Sequence, residues 1–351
     1  MAYTTINKST DYFNTKLWTG NGYSGHSITG VGFQPDWTWI KVRGGTGDHG
    51  LWDSVRGVSK RIQSNEDSAE TTTSGVTAFG TDGFTMGTAY NVNGDNYASW
   101  NWKAGNSSGS SNSDGSITST VSANTTAGFT IVKYVGTGSG SNSTVGHGLG
   151  VKPAMIIVKN LGSNGNWVVW HKSLASETNS YLRLDTNAAP GTTTNYWNSA
   201  APTNQVFGVS PDGYNNNKDG ENIIAYCFAE KTGYSKFGSY AGNGNVDGNF
   251  LYTGFKPAFL MVKRYDTSGN WVMFDNKRSS TGGNNEINYA LLADSNSSES
   301  TGTSSNDVDF LSNGIKIRED NGDLNTSGGT YIYMAFGQSI VGSNNIPTTA
   351  K

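Results

Sequence analysis

Charge is scarce in this sequence, and cysteine is almost absent. Only 15% of the 351 residues are charged, the net charge is −3, and no basic run occurs, which argues against a nucleic-acid-binding surface. The single cysteine, Cys227, excludes a disulfide within the chain. No run of about 18 apolar residues is present, so we expect no membrane-spanning helix. The first residues lack the apolar segment of a secretory signal, which favours assembly in a reducing cytoplasm.

Glycine and aromatic residues are abundant instead. The chain contains 47 Gly, 10 Trp, 17 Tyr and 14 Phe. Disordered chains are poor in aromatic residues, whereas glycine is the residue that tight turns need. The composition therefore predicts a folded chain with many turns.

One spacing pattern occurs three times along the chain. Each copy has a proline, a lysine six residues later and a large aromatic residue 17 residues after the proline. The three copies are Pro35, Lys41 and Trp52; Pro153, Lys159 and Trp170; and Pro257, Lys263 and Phe274. A fixed internal spacing with changed residues is typical of copies of one supersecondary unit. We therefore interpret these nine residues as structural anchors of three repeats.

The secondary structure is predicted to be β throughout. Apolar runs at 154–158 and 258–262 are bounded by proline and glycine, as buried strands of a sandwich or barrel are. Glycine-rich segments at 18–22, 135–138 and 240–244 resemble hairpin turns. Residues 51–62 are the one candidate for a short helix. The predicted fold is all-β, with three tandem β-sandwich domains of about 100 residues; jelly-roll and lectin-like topologies both remain open.

Composition shifts divide the chain into six segments. Residues 104–126 are rich in Gly, Ser, Asn and Thr, which is typical of a flexible linker. We expect the second and third repeats to pack together and the first to move relative to them. The predicted segments are an N-terminal arm (1–10), repeat 1 (11–103), the linker (104–126), repeat 2 (127–232), repeat 3 (233–341) and a C-terminal tail (342–351).

Two groups of residues are candidates for binding. Aromatic residues in polar stretches, Tyr196, Trp197 and Tyr214, are candidates for contact with a ligand such as a glycan. Acidic residues beside glycine offer oxygen ligands for calcium, although such residues are first of all turn formers. The calcium candidates are Asp212, Asp219, Glu221, Asp320 and Asp323. Apart from calcium, we expect no cofactor.

No residue pattern predicts a catalytic site. Residues 105–109 match G-x-S-x-G, but they lie in the predicted linker and not between a strand and a helix. His171 takes the place of Asp53 and Asp275 in the repeat and has no partner ligands at useful spacing, so we interpret it as a polar residue at a strand end. The repeated lysines either extend from the end of a buried strand or contact a neighbouring unit or subunit.

Several long phrases resemble one family over essentially the whole chain. They include GVGFQPDWTWIK, FAEKTGYSKFGSYAGNGN, TGFKPAFLMVKR and GGTYIYMAFGQ. The family consists of uncharacterised structural proteins of tailed phages that infect marine bacteria. The resemblance implies a virion component that is assembled in the host cytoplasm and binds other virion proteins. It assigns no functional residues.

The repeat pattern, the variable loops between the anchors and the resemblance together leave three functional hypotheses. The first is a non-enzymatic tail-fibre or appendage protein that contacts a host-surface glycan or protein through variable loops, as a homo-oligomer with a trimer favoured. The second is a protein that decorates the exterior of the capsid shell. The third and least favoured is a glycan depolymerase, which requires a pair of carboxylates across one cleft.

Overall fold

The computed structural model describes residues 4–138, 143–210, 215–279, 285–301 and 307–339. The all-β class is confirmed. The described residues form strands and a single 3₁₀ turn at Ser9–Asp11, with no α-helix among them. In this part of the chain no helix has the length and apolarity that crossing a bilayer would require.

The strands fall into three groups along the chain, which we call unit 1 (residues 13–102), unit 2 (residues 110–228) and unit 3 (residues 235–337). Unit 1 contains β1 (Phe13–Thr19), β2 (His26–Thr29), β3 (Trp37–Val42), β4 (Gly50–Asp53), β5 (Gly57–Ile62), β6 (Thr71–Thr72), β7 (Val76–Gly80), β8 (Gly83–Met86) and β9 (Asn96–Trp102). Unit 2 contains β10 (Ser110–Asn112), β11 (Ser119–Asn124), β12 (Phe129–Val135), β13 (Ser143–Gly146), β14 (Met155–Asn160), β15 (Val168–His171), β16 (Ser180–Arg183), β17 (Gly191–Thr192), β18 (Val206–Val209) and β19 (Asn222–Phe228). Unit 3 contains β20 (Ser235–Ala241), β21 (Phe250–Tyr252), β22 (Pro257–Arg264), β23 (Trp271–Asp275), β24 (Glu286–Ile287), β25 (Tyr289–Leu292), β26 (Ser300–Thr301), β27 (Val308–Leu311), β28 (Gly314–Ile317) and β29 (Thr330–Gly337).

Each unit has two antiparallel layers. The main sheets have the orders β1-β9-β3-β4-β5-β6, β12-β19-β14-β15-β16-β17 and β20-β29-β22-β23-β25-β26, so one order recurs; β10 and β11 extend the second sheet beyond β12. The outer sheets have the orders β2-β8-β7, β13-β18 and β21-β28-β27-β24. In every unit, the strand that follows the anchor proline pairs with the last strand of that unit.

Both faces of the central strands of each main sheet are buried, which explains the continuous apolar runs. In β3, Trp37 and Trp39 face one core, while Ile40 joins a second core with Trp52. The second core lies between the main and outer sheets of unit 1, and units 2 and 3 each have a core of the same kind. A strand that is covered on both faces needs apolar residues at consecutive positions, because successive side chains point in opposite directions.

The inner faces of the three main sheets form one shared core. At its centre Trp102, Phe228 and Phe336 come from the last strand of each unit, and their ring centroids lie 6.4, 5.7 and 6.0 Å apart. All three side chains are buried. Unit 1 therefore packs against both other units, which differs from the expectation that it moves relative to them.

Residues 104–126, predicted to be a linker, instead contain β10 and β11. All six residues of β11 pair with β12, so this segment is part of the main sheet of unit 2. Its small polar side chains are compatible with a strand because they find partners. Ser119 donates a hydrogen bond to the carbonyl of Gly146 at 2.8 Å, and Ser122 accepts one from the amide of Gly105 at 3.1 Å.

The N-terminal arm predicted at 1–10 is not free where the structure describes it. Ile6 is buried in the shared core, and Thr4 donates a hydrogen bond to the carbonyl of Thr232 at 2.6 Å. Ser9 donates to the carbonyl of Gln338 at 3.1 Å. Residues 4–11 therefore cover the junction between units 2 and 3. The C-terminal tail predicted at 342–351 lies outside the described residues.

The short helix predicted at 51–62 is also wrong, because this segment forms β4 and β5. Gly57 has a positive φ of 91°, and there the chain turns back on itself. Arg56 then donates a hydrogen bond to the carbonyl of Leu51 at 2.9 Å, across the reversal. The apolar residues that suggested a helical face belong instead to two paired strands.

Candidate functional site

The three units present two different ends. In each unit one strand, β1, β12 or β20, pairs with the last strand of the unit on the side away from the anchor proline. This strand begins near the shared core and ends in a Gly-x-Gly loop. A seven-residue strand is about 23 Å long. The described terminal residues therefore lie at one end of the sheets, which we call the junction end, and the three loops lie at the other, which we call the loop end.

The loops at the loop end are held by buried asparagines. In each loop the second glycine has a positive φ and donates its N–H to the carbonyl of an asparagine: Gly22 to Asn91 at 2.8 Å, Gly138 to Asn217 at 2.9 Å and Gly244 to Asn325 at 2.8 Å. The loops cross from a main sheet to an outer sheet, so the predicted hairpin turns are wrong. Sequence reasoning missed the asparagines, although each lies 11 residues before the last core aromatic of its unit.

The outer sheet of unit 3 exposes two aromatic rings. Phe250 and Tyr252 are 45% and 61% exposed, while Leu251 between them points into the core. In the neighbouring strand β28, Phe250 lies opposite Lys316 and Tyr252 lies opposite Gly314. A side chain at position 314 would collide with the Phe250 ring, so that ring extends over the glycine.

Ion pairs border the two rings. Lys316 Nζ lies 2.8 Å from Asp247 Oδ1, and Arg318 Nε lies 2.6 Å from Asp309 Oδ2. Hydrogen bonding to Lys316 lowers the pKa of Asp247, so this carboxyl is ionised at neutral pH. Each cation thus has a carboxylate partner. We call Phe250 and Tyr252 together with these four charged residues the aromatic face.

Units 1 and 2 have no such pair of rings at the matching positions. The exposed positions of β2 are Ser27 and Thr29, on either side of a buried residue as in β21. The corresponding positions of β13 are Thr144 and Gly146. A side chain at Gly146 would collide with Asn112, so the segment before β11 covers this part of unit 2. Among the described residues, the aromatic face is therefore particular to unit 3.

The predicted ligand-binding rings of unit 2 are buried. Trp197 donates its indole N–H to the carbonyl of Ser180 at 3.0 Å, and Tyr196 accepts a hydrogen bond from Asn215 at 2.9 Å. Both rings belong to the core between the two sheets of unit 2, so they cannot serve as a glycan platform. Their polar neighbours in sequence lie in the loop between β17 and β18, which the two buried rings anchor to the core. Tyr214 lies outside the described residues.

The predicted calcium ligands do not form a described site. Glu221 pairs with Lys218 at 2.7 Å, and Asp323 accepts hydrogen bonds from the backbone and side chain of Asn270. Asp219 lies in a turn, and both Asp219 and Asp320 are exposed. Within the described ranges, no three acidic, histidine or cysteine residues come close enough to hold a metal ion. Asp212 lies outside those ranges.

The three anchor lysines are fully buried. Lys41, Lys159 and Lys263 each donate to the carbonyl of the following residue at 2.9, 2.7 and 2.7 Å. Burial lowers the pKa of each ammonium group to about 8. Lys159 also donates to the carbonyl of Asp67 in unit 1, and Lys263 to that of Asn187 in unit 2. The interpretation as contacts to a neighbouring unit therefore holds for these two lysines.

A ring nitrogen 14 residues after each anchor proline joins one unit to the next. His49, Trp167 and Trp271 donate to the carbonyls of Leu292, Gln63 and Arg183, each at 2.8 Å. Unit 2 thereby contacts unit 1, unit 3 contacts unit 2, and unit 1 contacts unit 3. The three units close into a ring through equivalent hydrogen bonds. Sequence reasoning missed this position because histidine replaces tryptophan in the first copy.

The position 18 residues after each proline lies in the same interfaces. Asp53 accepts a hydrogen bond from the Tyr226 hydroxyl of unit 2 at 2.7 Å, and Asp275 accepts one from the Trp100 indole of unit 1 at 2.9 Å. His171 instead faces the carbonyl of Tyr333 in unit 3, at 3.3 Å. All three side chains are fully buried, so none of them can reach an external substrate.

A polar groove of about 330 Å³ lies where unit 3 meets unit 1. Arg43 and Glu299 line it, and their side chains form a two-pronged ion pair with distances of 3.1 and 2.8 Å. Glu299 also accepts a hydrogen bond from the buried Arg278 at 2.8 Å. Because these charges neutralise one another, the groove is better explained as part of the interface than as a ligand site.

Comparison with known proteins gives one match. The model of a protein family described as "Domain of unknown function (DUF7483)" matches residues 8–339. No curated protein and no solved structure matches the chain significantly.

Proposed function

Because the chain belongs to the DUF7483 family, whose description names no activity, we propose its function from the sequence resemblance and from its own geometry. The protein is a non-enzymatic structural component of a phage virion. It forms part of a tail fibre or another appendage and contacts the host surface. It binds other virion proteins at the junction end and the host at the loop end.

The distribution of exposed apolar side chains carries this proposal. Tyr23, Val92 and Val246 are exposed on the loops of the loop end, and Phe250 and Tyr252 are exposed on the outer sheet of unit 3, whereas only Val58 and Val151 among the described large apolar residues are exposed near the junction end. Exposed apolar residues that cluster on one surface are typical of interaction sites. The loop end therefore exposes more apolar side chains than the junction end does. This asymmetry supports an appendage that binds its target at the loop end.

The positions of the two repeated aspartates give no support to a depolymerase. Glycan hydrolysis requires two carboxyl groups about 5–9 Å apart across one accessible cleft. Asp53 and Asp275 are buried in different interfaces, and each accepts the Nε–H of a neighbouring arginine. Asp309 is already held by Arg318. We therefore propose a binding protein rather than an enzyme.

Labelling of virions tests the proposal. Gold-labelled antibodies against the chain should decorate the tail of intact particles. Soluble chain added in excess should reduce adsorption of phage to its host, because it occupies the same host-surface sites. Label on the capsid shell together with unchanged adsorption would overturn the appendage function.

The closed ring favours one further candidate, a protein on the exterior of the capsid shell. Three equivalent interfaces give a single chain approximate three-fold symmetry, which fits a local three-fold axis of a shell. Copy number separates the two functions: hundreds of copies per virion support the shell, and a few to a few tens support the tail. The mass of the soluble protein adds a second criterion, since we expect a homotrimer for a fibre and a monomer for the shell protein.

A further inference from the structure

Within the proposed contact with the host, on which this inference rests, we propose that the aromatic face of unit 3 binds a neutral saccharide chain. Phe250 and Tyr252 supply the stacking surface. The bordering carboxylate of Asp247 accepts hydrogen bonds from sugar hydroxyls.

The two rings have the spacing and exposure of a stacking platform. They are two residues apart on one strand, so their attachment points lie about 7 Å apart on the same face. That distance is comparable with the length of one pyranose unit. A pyranose has flat faces of C–H groups that pack on aromatic rings, while its hydroxyls point outward and need polar partners. The face offers both kinds of contact side by side.

The charges of the face favour a neutral ligand. Lys316 and Arg318 carry two positive charges, and each is held by a carboxylate, Asp247 or Asp309. A phosphorylated or uronic-acid polymer would need cations that are not already paired. Asp247 is 79% exposed on its side chain, so its second oxygen remains accessible to a hydroxyl group.

The size of the face favours a small ligand over a protein partner. A fully buried aromatic side chain covers about 150–250 Å², and these two rings are only about half exposed. Together they offer roughly 200 Å² of apolar surface, whereas a stable protein interface buries about 800 Å² on each partner. A second copy of this chain would therefore gain too little from the face to dimerise through it.

The other units provide the internal comparison. Unit 1 has the same outer-sheet register, with Ser27 and Thr29 in place of the two rings. A change of Phe250→Ser and Tyr252→Thr therefore gives unit 3 the surface that unit 1 already has. Both side chains are exposed, so this double variant should fold as the original protein does.

Calorimetric titration of the full chain tests the inference. The probes are cellohexaose, maltohexaose and chitohexaose, with hexagalacturonic acid as the acidic comparison. We expect at least one neutral hexasaccharide to bind and the acidic one to bind more weakly. The F250S/Y252T variant should lose about tenfold or more in affinity, because both stacking contacts are removed. The matched control, Ser27→Ala with Thr29→Ala in unit 1, should leave the affinity unchanged.

Four results would overturn the inference. They are binding by none of the three neutral hexasaccharides, preferential binding of the acidic one, equal affinity for the double variant, and a change of oligomeric state of that variant in ultracentrifugation. The single variant Tyr252→Thr, which changes the more exposed ring, gives an independent check through a smaller loss of affinity.

Failure of the inference is distinguishable from failure of the proposed function. If no neutral saccharide binds and soluble chain still blocks adsorption, the appendage function stands and this ligand is wrong. If a saccharide binds and virion label appears on the shell, the ligand stands and the appendage function is wrong.

Discussion

The interface between units 3 and 1 and the interface between units 2 and 3 have the same backbone geometry and different chemistry. At the first, Asp275, Arg278 and Glu299 form a buried chain of ion pairs, with distances of 2.5 and 2.8 Å. At the second, the corresponding positions are His171, Leu174 and Pro190. One interface is thus ionic, and the other is built around a single neutral ring.

The residue across the interface explains this difference. Asp275 receives a hydrogen bond from the Trp100 indole of unit 1. The residue equivalent to Trp100 in unit 3 is Met334, two residues before the last core aromatic, and methionine has no donor to offer. A buried aspartate opposite Met334 would lack that partner. His171 needs no donor from unit 3, because its own ring N–H donates to the carbonyl of Tyr333.

The comparison shows that buried ion pairs and a neutral histidine are alternative ways to hold equivalent interfaces together. A buried ion pair costs desolvation that its attraction only partly returns, so it is poor evidence for extra stability. Removal of one partner, however, leaves an uncompensated buried charge. The two interfaces should therefore differ less in total stability than in their sensitivity to substitution, and the following variants test that difference.

The largest effect is expected for Arg278→Met. This variant leaves the fully buried Asp275 without its cation, while Glu299 keeps its ion pair with Arg43. We expect the free energy of unfolding to fall by about 3–5 kcal/mol, as measured by denaturant titration. The matched control at the ionless interface is Leu174→Met, which conserves volume and should cost less than about 1.5 kcal/mol. Equal losses for the two variants would contradict the comparison.

Acid should weaken the histidine interface. Burial lowers the pKa of His171 to about 3, a shift to which the nearby Lys172 adds and which the Tyr333 carbonyl and Glu230 partly oppose. The folded protein then binds the proton less readily than the unfolded chain, whose histidine has a pKa of about 6.5. Stability from the neutral ring is therefore fully present above pH 6.5 and is lost as the pH falls from there towards 3.

The variant His171→Gln isolates this contribution. Between pH 7 and pH 4, the original protein should lose about 3 kcal/mol more stability than the variant does. His49 and His147, whose pKa values burial also lowers, titrate in both proteins and cancel in the difference. Denaturant titrations at a series of pH values provide the measurement. Parallel pH profiles for the two proteins would show that His171 is not the acid-sensitive group.

A smaller effect is expected when the donor across an ionic interface is removed. Tyr226→Phe takes away the hydroxyl that binds Asp53 at 2.7 Å, in the interface between units 1 and 2. The carboxylate keeps its contacts with Arg56, so the expected loss is about 1–3 kcal/mol. Met334→Leu, at the equivalent position of unit 3, removes no donor and should cost less than about 1.5 kcal/mol. A larger loss for Met334→Leu would mean that packing, not donation, decides this position.

The sequence could predict the β class and the anchors but not how the units meet. The apolar run of β14 signals burial on both faces, and the structure shows why. The apolar run does not indicate whether the second face of the strand packs against other units or inside one sandwich. That choice depends on rings such as Trp102 and Phe228, which are far apart in sequence and meet only when the ring closes.

The candidate site was harder to predict, because one sequence pattern suits two environments. Phe250 and Tyr252 flank Leu251 in an alternation that any half-buried strand shows, and nothing local says which face is covered. Trp197 lies among polar residues and is nevertheless buried, because its neighbours form the outer loop. In both cases the exposure of the side chain depends on how distant segments pack over it. A local sequence pattern contains no information about that packing.

The smallest effect separates the anchor lysines. Lys159 donates to the carbonyl of Asp67 across an interface at 3.2 Å, whereas the second acceptor of Lys41, Gly45, belongs to its own unit and lies at 3.5 Å. Lys→Met at either position removes a buried cation and its hydrogen bonds with little change of shape. Because only Lys159→Met also removes a bond between units, it should cost about 0.5–1.5 kcal/mol more than Lys41→Met. If denaturant titration gives equal losses, the repeated spacing of the lysines reflects strand-end geometry alone, and the ring is closed by the aromatic and ionic contacts.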